Sequence, residues 1–325
     1  MKWGILGTGG IADKFVSDLK LLSDAEVVAV GSRSDESAKI FAAKHGIAKA
    51  YGSYFALAKD AEIDVIYIAT LNHLHLENTI TCLEEGKSVL CEKPFAINKF
   101  QAEKIIAVAR KSRLFLMEAM WTRFLPAIVK VRELLAENVI GNIKHVAANF
   151  CLRVKPEKTR CFNPNFGGGA LLDLGIYPVS FLSMIFKKQP LKISGSCLFT
   201  STGVDETGSA IFTYGNNQIA TFTCSIAERA LNDVFIYGSK GYIHIPDFWS
   251  ARTIELFLDS SQTQTFRLET QGFGYGYQAL EVARCLKSGL LESDVMPLDE
   301  TLSVMNTMDN IRKQWGLVLP QDIMK

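Results

Sequence analysis

The stretch Gly7-Thr8-Gly9-Gly10-Ile11-Ala12 constrains this chain more than any other. It follows a short apolar run, residues 3–6, and leads into a segment of helical pattern, residues 12–22. A G-x-G-x-x-A string between strand and helix meets three steric needs. The first glycine permits a tight turn, and the second lets the backbone approach a pyrophosphate. The small third residue lets the helix lie close on the strand. The helix's first amides then face the phosphates. The string is weak by itself, and its place in a strand–helix–strand rhythm is what points to a dinucleotide site. A glycine-rich turn without a ligand is the plainer alternative.

That rhythm fills the first third of the chain. Apolar runs at residues 3–6, 27–30, 65–69, 89–91 and 114–117 alternate with helix-like segments at 12–22, 34–45, 75–85 and 99–111. Such alternation predicts a parallel sheet covered by helices on both faces. Beyond residue 121 the pattern changes: a helix is expected over 126–138, a strand over 143–154, a Pro/Asn/Gly-rich loop over 155–169 and a helix over 170–186. Strand patterns follow at 191–201, 207–214, 218–226, 233–237, 242–245, 253–258 and 263–268. Gly215-Asn216-Asn217 and Ser239-Lys240-Gly241 have hairpin-turn chemistry. Helices over 277–288 and 299–315 close the chain. The expected fold class is α/β. An N-terminal Rossmann domain with a doubly wound parallel sheet would span residues 1–121. An α+β domain for substrate binding and dimerisation, with a large open and mostly antiparallel sheet, would span 122–325. The helix 299–315 is the segment that can pack back on the first domain.

The charge balance narrows the partners. Against 34 Asp and Glu stand 35 Lys and Arg, a net charge of +1, so no bulk field draws nucleic acid or an anionic membrane. The seven cysteines include no Cys-x-x-Cys pair and sit mostly in apolar runs, as reduced core residues of a cytoplasmic protein do. A strand pattern begins at Lys2, so no signal peptide is expected. No uninterrupted apolar run reaches the roughly 20 residues that span a bilayer.

Four further stretches carry candidate chemistry. The second strand ends Val30-Gly31-Ser32-Arg33-Ser34, with no acidic residue for a ribose 2′-hydroxyl. Hydroxyls and a guanidinium suit a 2′-phosphate instead, which favours NADP, with NAD as the alternative. Thr70-Leu71-Asn72-His73-Leu74-His75 follows the run 64–69. Two histidines invite a metal reading, but no third ligand of suitable type is evident nearby. Cofactor contacts from Thr70, Leu71, Asn72 and His75 are the better expectation, and no metal is expected.

Glu92-Lys93-Pro94 ends the apolar run 88–91. Ligands of open α/β sheets bind beyond the carboxyl ends of the strands, and a partly desolvated lysine there can do proton chemistry. A solvated lysine at a strand end is the alternative. Pro94 is a candidate for a cis peptide, which X-Pro bonds tolerate. Asp173 and Tyr177 lie four apart in Asp173-Leu174-Gly175-Ile176-Tyr177-Pro178, so on a helix they share one face. A tyrosine works as an acid–base only if its pKa of about 10 is brought down, and a nearby ammonium such as Lys93 would do so. The alternative is an amphipathic helix with a surface Asp and a half-buried Tyr, and Pro178 would start or kink it.

Together Gly7 to Ala12, Glu92-Lys93-Pro94 and Gly167 to Tyr177 resemble the Gfo/Idh/MocA oxidoreductase family over essentially the whole chain. Glu118-Ala119-Met120-Trp121-Thr122-Arg123-Phe124 and the Tyr177 form of the helix resemble the branch of dimeric dihydrodiol dehydrogenases and NADP-dependent D-xylose dehydrogenases. The resemblance implies hydride transfer between NADP and a secondary alcohol of a sugar, polyol or trans-dihydrodiol. Lys93 would sit beside nicotinamide and substrate, Tyr177 would transfer the proton, and Asp173 would orient the substrate. Gly7, Thr8, Gly9, Gly10, Ile11, Ala12, Ser32, Arg33, Thr70, Leu71, Asn72, His75, Glu92 and Lys93 would serve the cofactor, with Trp121, Arg123 and Arg160 as further cleft residues. A homodimer through the C-terminal sheet is also implied. Two rivals share the fold: a non-catalytic cofactor-binding regulator and an NAD-dependent glycosidase. Phe166, Trp249 and Phe273 are aromatic candidates for the substrate's face.

Overall fold

The computed structural model describes residues 1–155, 160–260 and 263–323. Residues 156–159 of the loop expected at 155–169 lie outside this set. Chain contacts divide the molecule into two compact units, residues 1–121 with 271–302 and residues 122–270 with 303–325.

The first unit is built on a parallel sheet of β1 (Lys2–Leu6), β2 (Glu26–Gly31), β3 (Lys49–Tyr51), β4 (Val65–Ile68), β5 (Ser88–Glu92) and β6 (Leu116–Ala119). Their spatial order is β3-β2-β1-β4-β5-β6, all neighbours parallel. The order reverses at β1, and the crevice between β1 and β4 is where such sheets bind ligands. Register places the functional loops level with one another. Leu6 pairs with Gly31 on one side and with Ile68 on the other, and Ile68 pairs with Cys91. Gly7, Ser32, Ala69 and Glu92 therefore emerge at one edge. The inner strands are buried on both faces, with Val65, Ile66, Tyr67 and Ile68 at 0% exposure. Each such side chain stabilises the fold by about 1.5–3 kcal/mol.

Helices α1 (Gly10–Leu19), α2 (Asp35–His45), α3 (Tyr54–Ala58), α4 (His75–Glu84) and α5 (Lys99–Ser112) connect these strands. The sequence periodicity located the larger ones. It passed over β3 and α3, whose three and five residues are too short to show a period.

The second unit has an eight-stranded sheet among the described residues, ordered β14-β13-β12-β11-β7-β10-β9-β8. The strands are β7 (Ile143–Cys151), β8 (Lys192–Phe199), β9 (Asp205–Tyr214), β10 (Gln218–Ser225), β11 (Val234–Gly238), β12 (Gly241–Ile245), β13 (Thr253–Leu258) and β14 (Thr263–Arg267). All neighbours are antiparallel except β7 with β10. This bears out the mostly antiparallel sheet. Helices α6 (Pro126–Ala136) and α7 (Ile176–Phe186) pack on it, and α8 (Gly276–Lys287), α9 (Leu298–Trp315) and α10 (Pro320–Ile323) follow later in the chain.

One stretch passes a membrane-helix test by length and composition although no uninterrupted apolar run of that length exists: Pro164–Phe186, 23 residues, holds an 18-residue window of mean hydropathy 1.6. The Pro/Asn/Gly-rich start of the stretch hid it. Burial of 89% of its apolar window shows what the hydrophobicity does, since this is the core helix of the second unit.

Candidate active site

In the first unit the phosphate loop has the geometry its sequence requires. Gly7 has φ +112°, and a Cβ there would stand 2.7 Å from the Ala69 carbonyl oxygen, so only glycine fits. A Cβ on Gly9 or Gly10 would meet nothing within 4 Å, so the backbone lies open on that side. Ser34, Ser53 and Asn98 each accept an amide at the starts of α2, α3 and α5. Gly9, at the start of α1, offers no side-chain cap. The first amides of α1 thus remain available to an anion, and the residues present fit a dinucleotide pyrophosphate.

Two grooves flank this loop. One, of about 430 Å³, is lined by Thr8, Gly9, Gly10, Ser37 and Lys44. The other, of about 450 Å³, is lined by Arg33, Ser53, Tyr54 and Asn78. Burial pushes the Tyr54 phenol pKa up, and the nearby Arg33 guanidinium opposes this. Burial, and then Arg33, pull the His73 pKa down. Beyond the loop, Lys44 and His45 hold the Asp13 carboxyl below its usual range.

The Glu92-Lys93-Pro94 turn is held from three sides. Tyr67 donates its hydroxyl to Glu92 and stacks on Phe15 at 3.8 Å. His75 places Nδ1 2.9 Å from the Pro94 oxygen and Nε2 3.2 Å from the Thr70 oxygen. The Phe95 amide donates to Glu118 Oε1 at 3.3 Å, while Thr301 donates to Oε2 at 3.0 Å. His75 and Glu118 are both fully buried. The Lys93–Pro94 peptide is cis, as expected. Thr70 accepts from Asn78 at 3.1 Å, and Trp121 packs on Tyr275 at 4.4 Å. Among the described residues no cluster of three or more metal-type ligands occurs.

In the second unit, the segment expected as one helix from 170 has two windings. Leu171–Gly175 is a π-helical turn and α7 begins at Ile176, so the α-helical spacing of Asp173 and Tyr177 holds only in its second part. Pro178 sits in the first turn of α7, where its missing N–H does no harm. Asp173 pairs with Arg160 at 2.9 Å and accepts the Cys161 thiol at 2.5 Å. Tyr177 meets the ring of Phe150 edge-on at 5.1 Å, and Trp249 stacks on the same ring at 5.4 Å. Arg123 is buried and donates to Ser180 Oγ at 3.1 Å and Ser180 O at 2.7 Å, bracing α7 one turn beyond Tyr177. Phe273, on the first unit, is half exposed with the Lys14 ammonium 5.6 Å from its ring.

The structure thus gathers the first unit's candidates at one sheet edge and brings Arg160, Asp173 and Tyr177 onto one segment of the second. Sequence reasoning missed Tyr67, Cys161, Phe150 and the bracing role of Glu118. Glu118 alone left a clear trace, as a carboxylate inside the buried strand Leu116–Ala119.

A doubly wound sheet with a bare-amide loop after its first strand is the build of a dinucleotide-binding domain. Residues 1–120 match the model described as an oxidoreductase family with an NAD-binding Rossmann fold, and residues 128–244 match the C-terminal domain model of the same family. The trans-1,2-dihydrobenzene-1,2-diol dehydrogenase of Xenopus tropicalis is 40% identical over 98% of this chain and 99% of its own. The human enzyme of that name is 38% identical over 99% of each. A solved 3-ketoreductase from Actinomadura kijaniata, in complex with NADP and TDP-benzene, is 26% identical with a TM-score of 0.87, covering 97% of this chain and 98% of its own. The chain belongs to the Gfo/Idh/MocA oxidoreductase family and is an NAD(P)-dependent oxidoreductase, as its motifs implied.

Proposed function

We propose that the protein transfers a hydride between NADP and a secondary alcohol of a trans-dihydrodiol, sugar or polyol. The observation that carries this reading is the hold on the Glu92-Lys93-Pro94 turn by Tyr67, His75 and Glu118, at the sheet edge where the phosphate loop also emerges. A lysine without a task has no need of so fixed a base. The names of the whole-length relatives support the alcohol class.

When bound, the nicotinamide supplies the hydride chemistry. The amides of Gly10, Ile11 and Ala12 would hold the pyrophosphate, with Gly7, Thr8 and Gly9 shaping the turn. Ser32 and Arg33 would hold the ribose 2′-phosphate. Thr70, Leu71 and Asn72 would line the cofactor, while Glu92 and His75 would set the lysine turn. Lys93 orients the substrate oxygen through its ammonium, and Tyr177 takes the hydroxyl proton as the alcohol carbon is oxidised. Asp173, paired with Arg160, orients the substrate. Trp121 and Arg123 remain weaker candidates, since Tyr275 and Ser180 engage them.

The test is direct. The purified protein is offered NADP with a panel of trans-dihydrodiols, pentoses and hexoses, and NADPH absorbance is followed. Turnover of at least one class is expected, faster with NADP than with NAD. A properly folded protein that binds NADPH but oxidises nothing would sink the dehydrogenase reading.

We also infer a homodimer through the open face of the second sheet. Phe235, Tyr237, Tyr242 and Phe257 form a row of ring contacts at 5.9, 5.6 and 4.5 Å. Ile211, Ile219 and Tyr237 are 47%, 40% and 37% exposed, and apolar patches of this kind favour a partner over water. Sedimentation should give a dimer that Ile219→Glu turns into monomer; a monomeric wild type would refute it.

A further inference from the structure

Asp205 opens β9 with no exposure to solvent, and no sequence motif singles it out. Its Oδ2 accepts the Leu171 amide at 2.6 Å, the first amide of the π-helical turn Leu171–Gly175. Its Oδ1 lies against Gly169, where φ is +114° and a Cβ would stand 2.0 Å from that oxygen. On the other side, a Cβ on Gly168 would come within 2.5 Å of the Cys161 carbonyl oxygen and 2.7 Å of that of Arg160. The two glycines therefore run between Asp205 and the Arg160–Cys161 segment, the same two residues that pair with Asp173. At the far end of the turn, a Cβ on Gly175 would meet Cys224 Sγ at 3.0 Å, so the turn lies directly on β10.

We propose that Asp205 is a positioning residue for the acid–base segment. By holding the Leu171 amide it fixes the turn that directs Asp173 and sets where the helix bearing Tyr177 begins. This rests on the reading above that Asp173 and Tyr177 serve the substrate. The physical reason is that a π-helical turn is an uncommon winding and needs an outside partner at its first amide. A buried carboxylate holds a backbone N–H in a charge-assisted bond, which is shorter and stronger than a neutral one.

Three variants test it: Asp205→Ala removes the acceptor, Asp205→Asn keeps one, and Gly169→Ala displaces Oδ1. Two readouts are taken, hydrogen exchange across residues 169–179 and the kinetic constants, with NADPH binding as the folding control. In Asp205→Ala exchange should quicken and kcat fall by about a hundredfold, the loss a displacement near 1 Å can bring, with KM for NADP unchanged. Gly169→Ala should repeat the kcat loss, and Asp205→Asn should restore most of it. Wild-type kcat in both Asp205→Ala and Gly169→Ala overturns the proposal, as does unchanged exchange in Asp205→Ala. If Asp205→Ala fails to fold, Gly169→Ala and the rescue by Asp205→Asn decide the matter. A wild type without turnover on any alcohol would instead mark failure of the dehydrogenase reading, and exchange alone would then uphold or overturn the anchoring.

Discussion

His75 holds the Pro94 carbonyl at 2.9 Å from Nδ1, and its Nε2 lies 3.2 Å from the Thr70 carbonyl. One fully buried ring thus ties the loop after β4 to the turn after β5, the two loops next to each other at the sheet's functional edge. Replacing His75 by Ala removes the ring that lies between these two main-chain carbonyls and opens a cavity, at a cost of about 2–4 kcal/mol. We expect a lower unfolding midpoint, and kcat reduced by about tenfold or more as the lysine loses its base. Normal kcat in a destabilised variant would show that the ring supports the fold only.

Lys93 and Tyr177 separate chemistry from binding. Lys93→Met and Tyr177→Phe should each lower kcat by about a hundredfold or more, the range of general acid–base catalysis, while NADPH titration of protein fluorescence stays near wild type. Wild-type turnover in either variant would remove that residue from the mechanism.

Arg33 should govern cofactor choice. A charge-assisted bond to a 2′-phosphate is worth about 1.5–3 kcal/mol, so Arg33→Ala should weaken NADPH binding by about 10- to 100-fold. NADH lacks the phosphate, and its affinity should barely change. Equal loss for both cofactors would point to general damage of the groove.

Burial pushes the Asp205 carboxyl up to about 6, with the Leu171 amide and Arg312 holding it down and Asp173 adding to the rise. The thiols of Cys197 and Cys224 also face it, and both are pushed up, chiefly by burial and then by Asp205. The native state binds this proton more tightly than the unfolded chain, whose value is 3.8. The resulting stabilisation is complete below that value and is lost as pH rises through about 6. Asp205→Asn carries no such charge. Its stability relative to wild type should therefore climb between pH 4 and pH 7 by on the order of 3 kcal/mol, and level off above that. Urea unfolding of both proteins at several pH values measures this. A pH-independent difference would contradict the raised carboxyl.

Much of this molecule is written locally in the chain. The Gly7 to Ala12 loop, the turn at Pro94 and the alternation of strand and helix depend on neighbours a few residues apart, so periodicity and turn chemistry exposed them. What tertiary structure alone decided are partnerships across long loops. Asp205 reaches Leu171 over 34 residues, and Thr301 reaches Glu118 over 183. Phe150 on β7 comes against both Tyr177 and Trp249, and β7 lies beside β10 in parallel, a pairing that no hairpin could announce. The π winding at Leu171–Gly175 belongs here too, since a buried carboxylate from another strand meets its first amide. Local sequence sets backbone preference within a turn or two. Where a side chain finds its partner depends on which surfaces the folded sheets bring together.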